Sequence, residues 1–369
     1  MKLIILKDNL RNALDSVGRA ISNNASLPIL GNILIKTSDN QIKIFGTNLE
    51  IAITKTVSGK ILEDGGVTIP YTIISTIINN LSSERINLES KGNNLTLQTD
   101  NYKALIQGAQ ETDFPIIPKL DKKNEFLEIQ ANLFKESLGK VIIAAGISEI
   151  RPEISGVLFD VEVSSLKMAA TDSFRLAETK IPGNQFKSAL EQGFRATIPL
   201  RTAQELSKIF KDGEDIKIYF DKTQVLFETK DTEIVSRLID GDFPDYQAII
   251  PQNTDTEITV EREELMNSLK LASAFSGRVN EIRLRTKDKR VLEVYSSESS
   301  LGENDYLIPG KISGEEIEVV FNWRFLLDGI KSVQSKDVVL GLSGGNKAAV
   351  IKSPDDKLSI YILMPVRTT

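Results

Sequence analysis

Hydrophobic and polar residues alternate along three stretches of the chain, which begin near residues 32, 156 and 281. In the first stretch, isoleucines occupy positions 33 and 35 and then, after a polar turn, positions 42 and 44. A period of two is typical of β-strands that have one buried face and one solvated face. Each stretch therefore predicts a strand, a polar turn, a second strand and, after a short polar step, a third strand.

An amphipathic helix is predicted immediately before each of these stretches. Its apolar residues recur every three or four positions, which places them on one stripe that can pack on a sheet. The three stripes are Leu10, Leu14, Val17 and Ile21; Leu133, Ser137, Val141 and Ala145; and Leu265, Leu269, Ala272 and Ser276. A second helix followed by strands comes after each stretch. The sequence thus predicts six helices, at residues 8–19, 71–81, 131–146, 199–211, 261–278 and 322–334.

The helices and strands form one pattern that occurs three times along the chain. The segments ETDFPII (residues 111–117) and DGDFPDY (residues 240–246) close the first two copies, and LMPVRT (residues 363–368) closes the third. The repetition predicts an α+β fold of three domains, residues 1–120, 121–252 and 253–369, each with two helices packed on antiparallel sheets. Triplication of a stable unit requires no function, yet copies in register also build a curved or closed assembly with six similar helices along one surface.

Composition narrows the classes of function. The chain contains no cysteine and no histidine, which excludes disulfides, thiolate chemistry and the commonest general base. A metal site made only of carboxylates remains open. No segment approaches the roughly 18 apolar residues of a membrane helix, and the N-terminal run lacks the cleavage site of a signal peptide. We therefore expect a cytoplasmic protein without a membrane partner.

Charge is distributed unevenly along the sequence. The net charge is −6, yet the six predicted helices together carry about four more basic than acidic residues. The basic residues expected on the common helix surface are Arg11, Arg19, Lys135, Lys140, Arg201, Lys208, Lys270, Arg278, Arg324 and Lys331. For any single one of them, an ordinary solvated helix face is the simpler interpretation. The asymmetry between the helices and the rest of the chain favours a weakly basic surface that slides along phosphates without reading sequence.

Helix packing distances decide how many copies a ring around DNA would need. Six helices packed about 8–10 Å apart enclose a clear diameter of about 6–9 Å, whereas twelve helices enclose about 20–28 Å. Duplex DNA is about 20 Å wide. A head-to-tail dimer, in which the third domain of one copy meets the first domain of the other, therefore gives a ring that duplex DNA can just pass.

A cluster of polar residues raises the alternative of an enzyme. Thr171, Asp172 and Ser173 lie side by side, with Arg175 two residues further on. A carboxylate beside a hydroxyl permits a nucleophile, but the chain has no histidine or cysteine to activate it. The three aspartates of DGDFPDY could bind Mg²⁺, although aspartate is also expected in a tight turn. An enzyme thus stays one alternative, and a scaffold that does not encircle DNA is another.

Six motifs occur in one order across the whole chain: LPILGN (27–32), GTNLE (46–50), ATDSFRLA (170–177), DGDFPDY (240–246), FNWRFLLDGI (321–330) and YILMPVR (361–367). On these motifs the chain resembles the bacterial DNA polymerase III beta subunits, the beta sliding clamps. The resemblance implies a DNA-clamp fold that closes as a head-to-tail homodimeric ring around duplex DNA, with no catalytic activity and no cofactor. It also implies a clamp loader that opens the ring, and polymerases and repair proteins that are tethered to it.

The resemblance further implies a pocket between the second and third domains for a short extended peptide, of the form Gln-x-hydrophobic-hydrophobic or Gln-Leu-x-Leu-Phe. Carried over by motif, its walls are Ile154, Thr171, Ser173, Phe174, Arg175, Leu176, Pro244, Ile249, Asn322, Phe325, Ile362, Met364, Pro365, Val366 and Arg367. The resemblance also implies DNA contact from the loop that carries Arg151, and a dimer interface at Tyr102, Leu105 and Phe275.

The sequence departs from the family pattern at several positions, among them 24, 152, 153, 173 and 174. The family often has Gly then His where this chain has Ser173 and Phe174. We expect Phe174 to enlarge the aromatic wall of the peptide pocket and to shift its preference among peptides. Some relatives carry an arginine that touches DNA where this chain has Asn24, which cannot supply that charge.

Overall fold

The computed structural model describes residues 1–22, 26–120 and 125–367, and Asn24 lies outside the described residues. The chain forms two compact units. Unit 1 comprises Met1–Ala131, Lys187–Leu190 and Ile209–Leu238, and unit 2 comprises Asn132–Phe186, Glu191–Lys208 and Ile239–Thr369. The division runs through the predicted second domain, because the strands of residues 209–238 join a sheet of unit 1. The limits of the three predicted domains stay a prediction.

The described residues form six α-helices: α1 (Lys7–Val17), α2 (Tyr71–Asn80), α3 (Ala131–Ile142), α4 (Leu200–Ile209), α5 (Arg262–Ala272) and α6 (Trp323–Ser332). Their strands are β1 (Lys2–Leu6), β2 (Asn32–Ser38), β3 (Gln41–Thr47), β4 (Ile51–Val57), β5 (Gly59–Glu63), β6 (Gly65–Pro70), β7 (Arg85–Lys91), β8 (Asn94–Gln98), β9 (Lys103–Gln107), β10 (Leu127–Gln130), β11 (Gly156–Glu162), β12 (Ser165–Thr171), β13 (Arg175–Pro182), β14 (Phe186–Ser188), β15 (Phe194–Pro199), β16 (Asp215–Phe220), β17 (Gln224–Glu228), β18 (Thr232–Arg237), β19 (Thr256–Glu261), β20 (Glu281–Thr286), β21 (Val291–Glu298), β22 (Gly302–Gly314), β23 (Glu318–Asn322), β24 (Asp337–Leu342), β25 (Ala349–Lys352) and β26 (Ser359–Leu363).

All six predicted helices are present, but each ends before its predicted limit. The difference matters most for α3, which ends at Ile142. Leu133 is only half-buried there, whereas Phe134 and Leu138 are fully buried. Ser137 and Val141 are buried, so the predicted stripe is confirmed at these two positions; it is wrong at Leu133, because Phe134 faces the core in its place.

The predicted alternation of the first strands is confirmed. Ile33, Ile35, Ile42 and Ile44 are all buried in unit 1. The other face of this sheet is not fully solvated, since Leu34 is buried as well. A strand that is buried on both sides has a second layer over it, so another part of unit 1 covers Leu34.

Two of the sheets repeat the same strand order. The nine-stranded sheet runs β14-β10-β16-β17-β18-β4-β3-β2-β6, and the twelve-stranded sheet of unit 2 runs β15-β11-β12-β13-β26-β25-β24-β19-β22-β21-β20-β23. Eight consecutive strands of the first sheet, β6-β2-β3-β4-β18-β17-β16-β10, correspond one to one to eight strands of the second. These are β15-β11-β12-β13-β26-β25-β24-β19. Each run has an antiparallel junction at its middle, β4 with β18 and β13 with β26. A third sheet in unit 1 has the order β5-β1-β7-β8-β9.

The helices pack on these antiparallel strands, as predicted. In unit 1, α1 packs against α2 and against β3 and β4. In unit 2, α5 packs against α6 and against β19, β21 and β22. Among the described residues, no helix has both the length and the apolar character that a membrane crossing requires.

Candidate functional site

The Thr-Asp-Ser cluster forms a tight turn between β12 and β13. Thr171 Oγ1 donates to the Arg175 carbonyl at 2.6 Å and accepts the Ser173 amide at 3.1 Å. Asp172 Oδ1 accepts the amides of Phe174 and Arg175, both at 3.0 Å. Ser173 adopts a φ of 75°, a left-handed conformation that few residues adopt. The two polar side chains thus replace the backbone partners that this turn lacks.

The same turn occurs between β3 and β4 in unit 1. Thr47 Oγ1 donates to the Ile51 carbonyl at 3.0 Å and accepts the Leu49 amide at 3.1 Å. Asn48 Oδ1 accepts the amides of Glu50 and Ile51 at 3.0 and 2.9 Å. Leu49 has the same φ of 75°. Asn48 accepts the same two amides in this turn as Asp172 does in unit 2. The geometry of the turn therefore accounts for the Thr-Asp pair, and the pair gives no reason to predict a nucleophile.

Arg175 ties this turn to helix α6. Its Nε donates to Asp172 Oδ2 at 2.9 Å, and its Nη1 donates to Asp328 Oδ2 at 2.7 Å. The guanidinium also lies 4.3 Å from the centre of the Phe325 ring, a cation–π distance. Burial alone would lower the pKa of Arg175, but Tyr361, Asp328 and Asp172 together raise this pKa above its usual value. Arg175 is therefore a fixed cation with no protonation change near neutral pH.

Tyr361 supports the same contact from below. Its hydroxyl donates to the Phe325 carbonyl at 2.9 Å, which holds the first turns of α6 against β26. Burial raises the pKa of Tyr361, so the phenol stays a donor. Sequence reasoning did not include Tyr361 or Asp328 in the site. Both lie inside quoted motifs, YILMPVR and FNWRFLLDGI, but nothing in the sequence indicated which motif residues meet.

A buried apolar cluster lies beneath the turn. Its members are Ile154, Leu158, Ala169, Leu176, Phe243, Tyr246, Val350 and Ile362, with Ile250, Ala348 and Ile360 packed against it. Three predicted wall residues, Ile154, Leu176 and Ile362, belong to it and are almost completely buried. Leu176 and Ile362 face each other across the β13–β26 pair, so these three residues contribute to the core and not to an exposed wall of the site. Tyr246 is held in place by its hydroxyl, which donates to Glu178 at 2.5 Å.

Exposed apolar side chains lie above this cluster. Phe174 is 63% exposed and Met364 is 40% exposed. The Met364 amide donates to the Phe174 carbonyl at 2.9 Å, and the Val366 amide donates to the Val320 carbonyl at 2.8 Å. The C-terminal segment is thereby held in an extended conformation beside Phe174. Exposed apolar surface fixed in this way is typical of a binding site.

The remaining predicted peptide-site residues lie in unit 2 and differ in exposure. Thr171 is buried; Pro244, Asn322, Phe325, Pro365 and Val366 are half-buried; and Ser173, Ile249 and Arg367 are exposed. Asn322 Oδ1 accepts the Arg324 amide at 3.0 Å. This is an N-cap of α6, so the Asn322 side-chain oxygen is committed to the helix.

The predicted DNA-facing residues divide between the two units. Arg11 and Arg19 belong to unit 1, and the others belong to unit 2. The exposed ones are Arg11, Arg151, Arg201, Lys208, Lys270, Arg278, Arg324 and Lys331; Arg19, Lys135 and Lys140 are half-buried. Lys140 forms salt bridges with Glu136 at 3.3 Å and with Asp356 at 3.2 Å. These carboxylates compete with a phosphate for the Lys140 ammonium group. That these residues share one surface stays a prediction.

The aspartates of DGDFPDY do not form a metal site in the described part of the chain. There, no group of three or more carboxylates lies close enough together to hold an ion. Asp245 Oδ1 instead accepts the Gln247 amide at 3.2 Å, and Gly241 in the same segment has a φ of 97°. The segment is a turn in which aspartate is expected.

The predicted dimer residues lie at an edge strand and on a turn. Tyr102 precedes β9 and Leu105 lies on it, and both are exposed. β9 is the last strand of its sheet. Phe275 lies in the 3₁₀ turn Ser273–Phe275 after α5, and its ring faces Gly302 at the start of β22.

Comparison with known proteins covers the whole chain. The N-terminal, central and C-terminal domains of the DNA polymerase III beta subunit match residues 1–118, 128–245 and 247–367. The beta sliding clamp of Bacillus subtilis is 29% identical over the full length of both chains. The solved sliding clamp of the same organism covers both chains completely with a TM-score of 0.94 at 28% identity. A putative DNA polymerase III beta subunit from Eubacterium rectale superimposes with a TM-score of 0.93 at 25% identity. The chain therefore belongs to the family of DNA polymerase III beta subunits, the beta sliding clamps.

Proposed function

We propose that two copies of this chain close head to tail into a ring around duplex DNA and tether the replicative DNA polymerase to it. The ring holds DNA by topology, and its weak phosphate contacts leave it free to slide. The chain is a non-catalytic processivity subunit. Clamp loaders and repair proteins are its further proposed partners, and the bacterial cytoplasm is its proposed place of action. The match of all three family domains, in order and over nearly the full chain, carries this proposal.

Partners bind, in this proposal, to the surface that surrounds Phe174 in unit 2. The hydrogen bonds of Arg175 to Asp172 and Asp328 hold the base of this surface in place. Phe174 and Met364 give the surface exposed apolar side chains. Methionine adapts to ligands of different shape, which suits a site that serves several partners. We expect the guanidinium of Arg175, whose side chain remains 12% exposed, to orient polar groups of a bound peptide. The occupant is an extended segment such as Gln-Leu-Ser-Leu-Phe.

A titration with that labelled pentapeptide, followed by fluorescence anisotropy, tests this site. The intact chain should show saturable binding, and a chain truncated before Met364 should lose it. Phe174→Asp should weaken binding without unfolding the protein, because Phe174 is largely exposed. Val163→Asp is the matched control, since Val163 is an equally exposed apolar residue on the β11–β12 turn. Equal affinity for Phe174→Asp and Val163→Asp would contradict the proposed site.

We place the proposed dimer interface, or dimer seam, by analogy with the two strand junctions inside the chain. β4 pairs with β18 and β13 pairs with β26 in one register, in which Thr54 faces Glu233 and Glu178 faces Ile360. Among the described strands, the third copy of the pattern has no such partner. Its corresponding strand is the first half of β22, which pairs with β21 on one side only. The unmatched edge at the other end of the repeat is β9.

The same register can be extended across the seam. Ala169 of β12 faces Glu178, and its counterpart on β21, Tyr295, faces Asp305. Asp305 is thus the counterpart of Glu178. On the other side, the hairpins β8–β9 and β17–β18 close with the same hydrogen bond, from Thr99 to Tyr102 and from Thr229 to Thr232 at 2.8 Å each.

Lys103, which follows Tyr102, is therefore the counterpart of Glu233. The register predicts that Lys103 of one copy faces Asp305 of the other, with Leu105 facing Glu303 and Tyr102 facing Tyr306. Opposite charges that face each other across a strand pair stabilise the pairing. The lysine and the aspartate are both exposed in the isolated chain. The seam thereby gains a charge pair in addition to its backbone hydrogen bonds.

A further inference from the structure

Unit 1 contains a cavity of about 660 Å³ and, beside it, a smaller one of about 70 Å³. Leu34, Leu226 and Val235 line the larger cavity on the side of the sheet, and residues 114–120 form its other wall. Residues 114–120 are thus the layer that faces Leu34 across the cavity. The larger volume falls in the range of small-ligand and peptide pockets, about 300–1,000 Å³.

The smaller cavity occupies the position in unit 1 that the peptide surface occupies in unit 2. Thr47 and Leu49 line it. They are the counterparts of Thr171 and Ser173, because the two segments form the same hydrogen-bonded turn. The turn that presents Phe174 in unit 2 thus borders a cavity in unit 1.

The strand junctions give the same correspondence independently. Ala52 faces Val235 across β4 and β18, and Leu176 faces Ile362 across β13 and β26. Ala52 and Val235 both line the smaller cavity, and Val235 also lines the larger one. The two cavities therefore lie on strands of unit 1 that correspond, at the same register, to the strands of the buried cluster in unit 2.

A difference in two side chains explains why the space is open in unit 1. In unit 2, Tyr246 is buried over the sheet and its hydroxyl donates to Glu178. The shared Asp-Phe-Pro sequence makes Ile117 the counterpart of Tyr246, and the strand register makes Thr54 the counterpart of Glu178. Ile117 and Thr54 both line the larger cavity and are smaller than the residues they replace. The volume that Tyr246 fills in one unit stays available in the other.

The charges at the rim indicate what could occupy this space. Three lysines, at positions 36, 43 and 119, and three acids, at positions 39, 111 and 233, line the larger cavity. Lys36 and Glu111 are paired with each other. A balanced rim does not favour an anion or a polyanion, whereas the floor is apolar. Ile116, which is 96% exposed, adds apolar surface at the mouth.

We propose that these cavities form a second docking site, for an extended and uncharged peptide segment of a partner protein with two or three apolar side chains. The choice of occupant rests on the proposed function, because it follows from the correspondence with the peptide site of unit 2. The site itself rests on the cavities and on the strand register. Each copy of the chain then offers two peptide sites of related geometry.

Disulfide tethering tests the second site directly, since the chain has no cysteine of its own. Ile116→Cys places one thiol at the mouth of the cavity, and Val163→Cys places one on an exposed turn of unit 2 as the matched control. The probes are two cysteamine-linked disulfide peptides, Leu-Ala-Leu-Phe and Ser-Ala-Ser-Ser. Under partial reduction, Ile116→Cys should capture the apolar peptide at least about tenfold more than the polar one, which corresponds to about 1.4 kcal/mol. Val163→Cys should capture both equally.

Two further variants separate this site from the one in unit 2. Leu49→Asp, at an exposed position whose left-handed backbone aspartate tolerates, should abolish the preference of Ile116→Cys for the apolar peptide. Phe174→Asp should leave that preference intact, whether or not the peptide titration supports the site in unit 2. Equal capture of the two peptides by Ile116→Cys would overturn the second site. A preference that survives Leu49→Asp but disappears with Phe174→Asp would overturn it as well.

Discussion

The guanidinium of Arg175 donates to the Asp328 carboxylate at 2.7 Å and so joins the turn before β13 to helix α6. The Arg175 side chain is only 12% exposed. A cation at that depth is costly unless it is paired. The pair therefore fixes the position of Phe174 on one side and of Phe325 on the other, which are the two aromatic side chains of the proposed peptide site.

Asp328→Asn should lower the free energy of unfolding and weaken peptide binding. The loss should be about 1–2 kcal/mol, because the substitution removes a charged hydrogen-bond acceptor that is itself partly exposed to solvent. Urea denaturation and the pentapeptide titration measure the two effects. Asp355→Asn is the control, as Asp355 is an exposed carboxylate of the same unit. If both variants unfold at the same urea concentration, the pair of Arg175 and Asp328 does not contribute to the free energy of unfolding.

Asp172→Asn should be tolerated better than Asp172→Ala. The asparagine can still accept the amides of Phe174 and Arg175, as Asn48 accepts the corresponding amides in unit 1. Alanine removes these two acceptors, so it should cost about 1 kcal/mol more than asparagine. Thermal unfolding of the two variants measures the difference. A turn that needs the carboxylate charge itself would make the two variants equally unstable.

The stability of unit 1 should depend on pH through Asp231. Lys55, which is almost completely buried, donates to Asp231 at 2.6 Å. Burial alone would raise the pKa of Asp231, but hydrogen bonds from Lys55 and Thr232 hold this pKa below its ordinary value of 3.8. A carboxyl group with a lowered pKa stabilises the folded state above its unfolded pKa. That contribution is lost as the pH falls through the lower, folded value.

Lys55→Met isolates this effect. In the variant, Asp231 loses its cation, so its charge destabilises the folded state near neutral pH and protonation relieves the cost. The difference in unfolding free energy between the unmodified chain and Lys55→Met should therefore be largest near pH 6 and should shrink as the pH falls below about 4. Urea titrations at several pH values measure this difference. A difference that stays constant would show that Asp231 is not coupled to Lys55.

Much of the fold could be predicted from the sequence because its signals are local and repeated. Alternation and helix spacing identified the strands and all six helices, and the threefold pattern anticipated the repeated strand order. The Asp172 turn was also accessible, since GTNLE and ATDSF share the Thr-Asn/Asp spacing that makes the same bonds. The Arg175–Asp328 contact was not accessible: its partners are 153 residues apart, and they meet because α6 packs against β26, which pairs with β13. The space over Leu34 depends on Ile117 and Thr54 being small, which no local pattern indicates.

A charge exchange tests the register proposed for the dimer seam. Lys103→Glu should produce monomers, because it places two carboxylates opposite each other in the predicted strand pair. The double variant Lys103→Glu with Asp305→Lys should restore the dimer. Light scattering measures the mass of each. Lys91→Glu, on a strand of the same sheet away from its edge, is the control and should stay dimeric. Failure of the double variant to recover would mean that the register is different.

Retention on linear DNA with blocked ends tests the encircling ring most directly. The purified chain is mixed with biotinylated linear duplex to allow rings to thread on, the ends are closed with streptavidin, and the salt concentration is raised to suppress phosphate contacts. We predict that the unmodified protein stays on the blocked DNA and leaves when a restriction enzyme cuts the duplex. The Lys103→Glu variant should not be retained on either DNA. Equal retention on blocked and open DNA, or none on either, would contradict a ring held by topology.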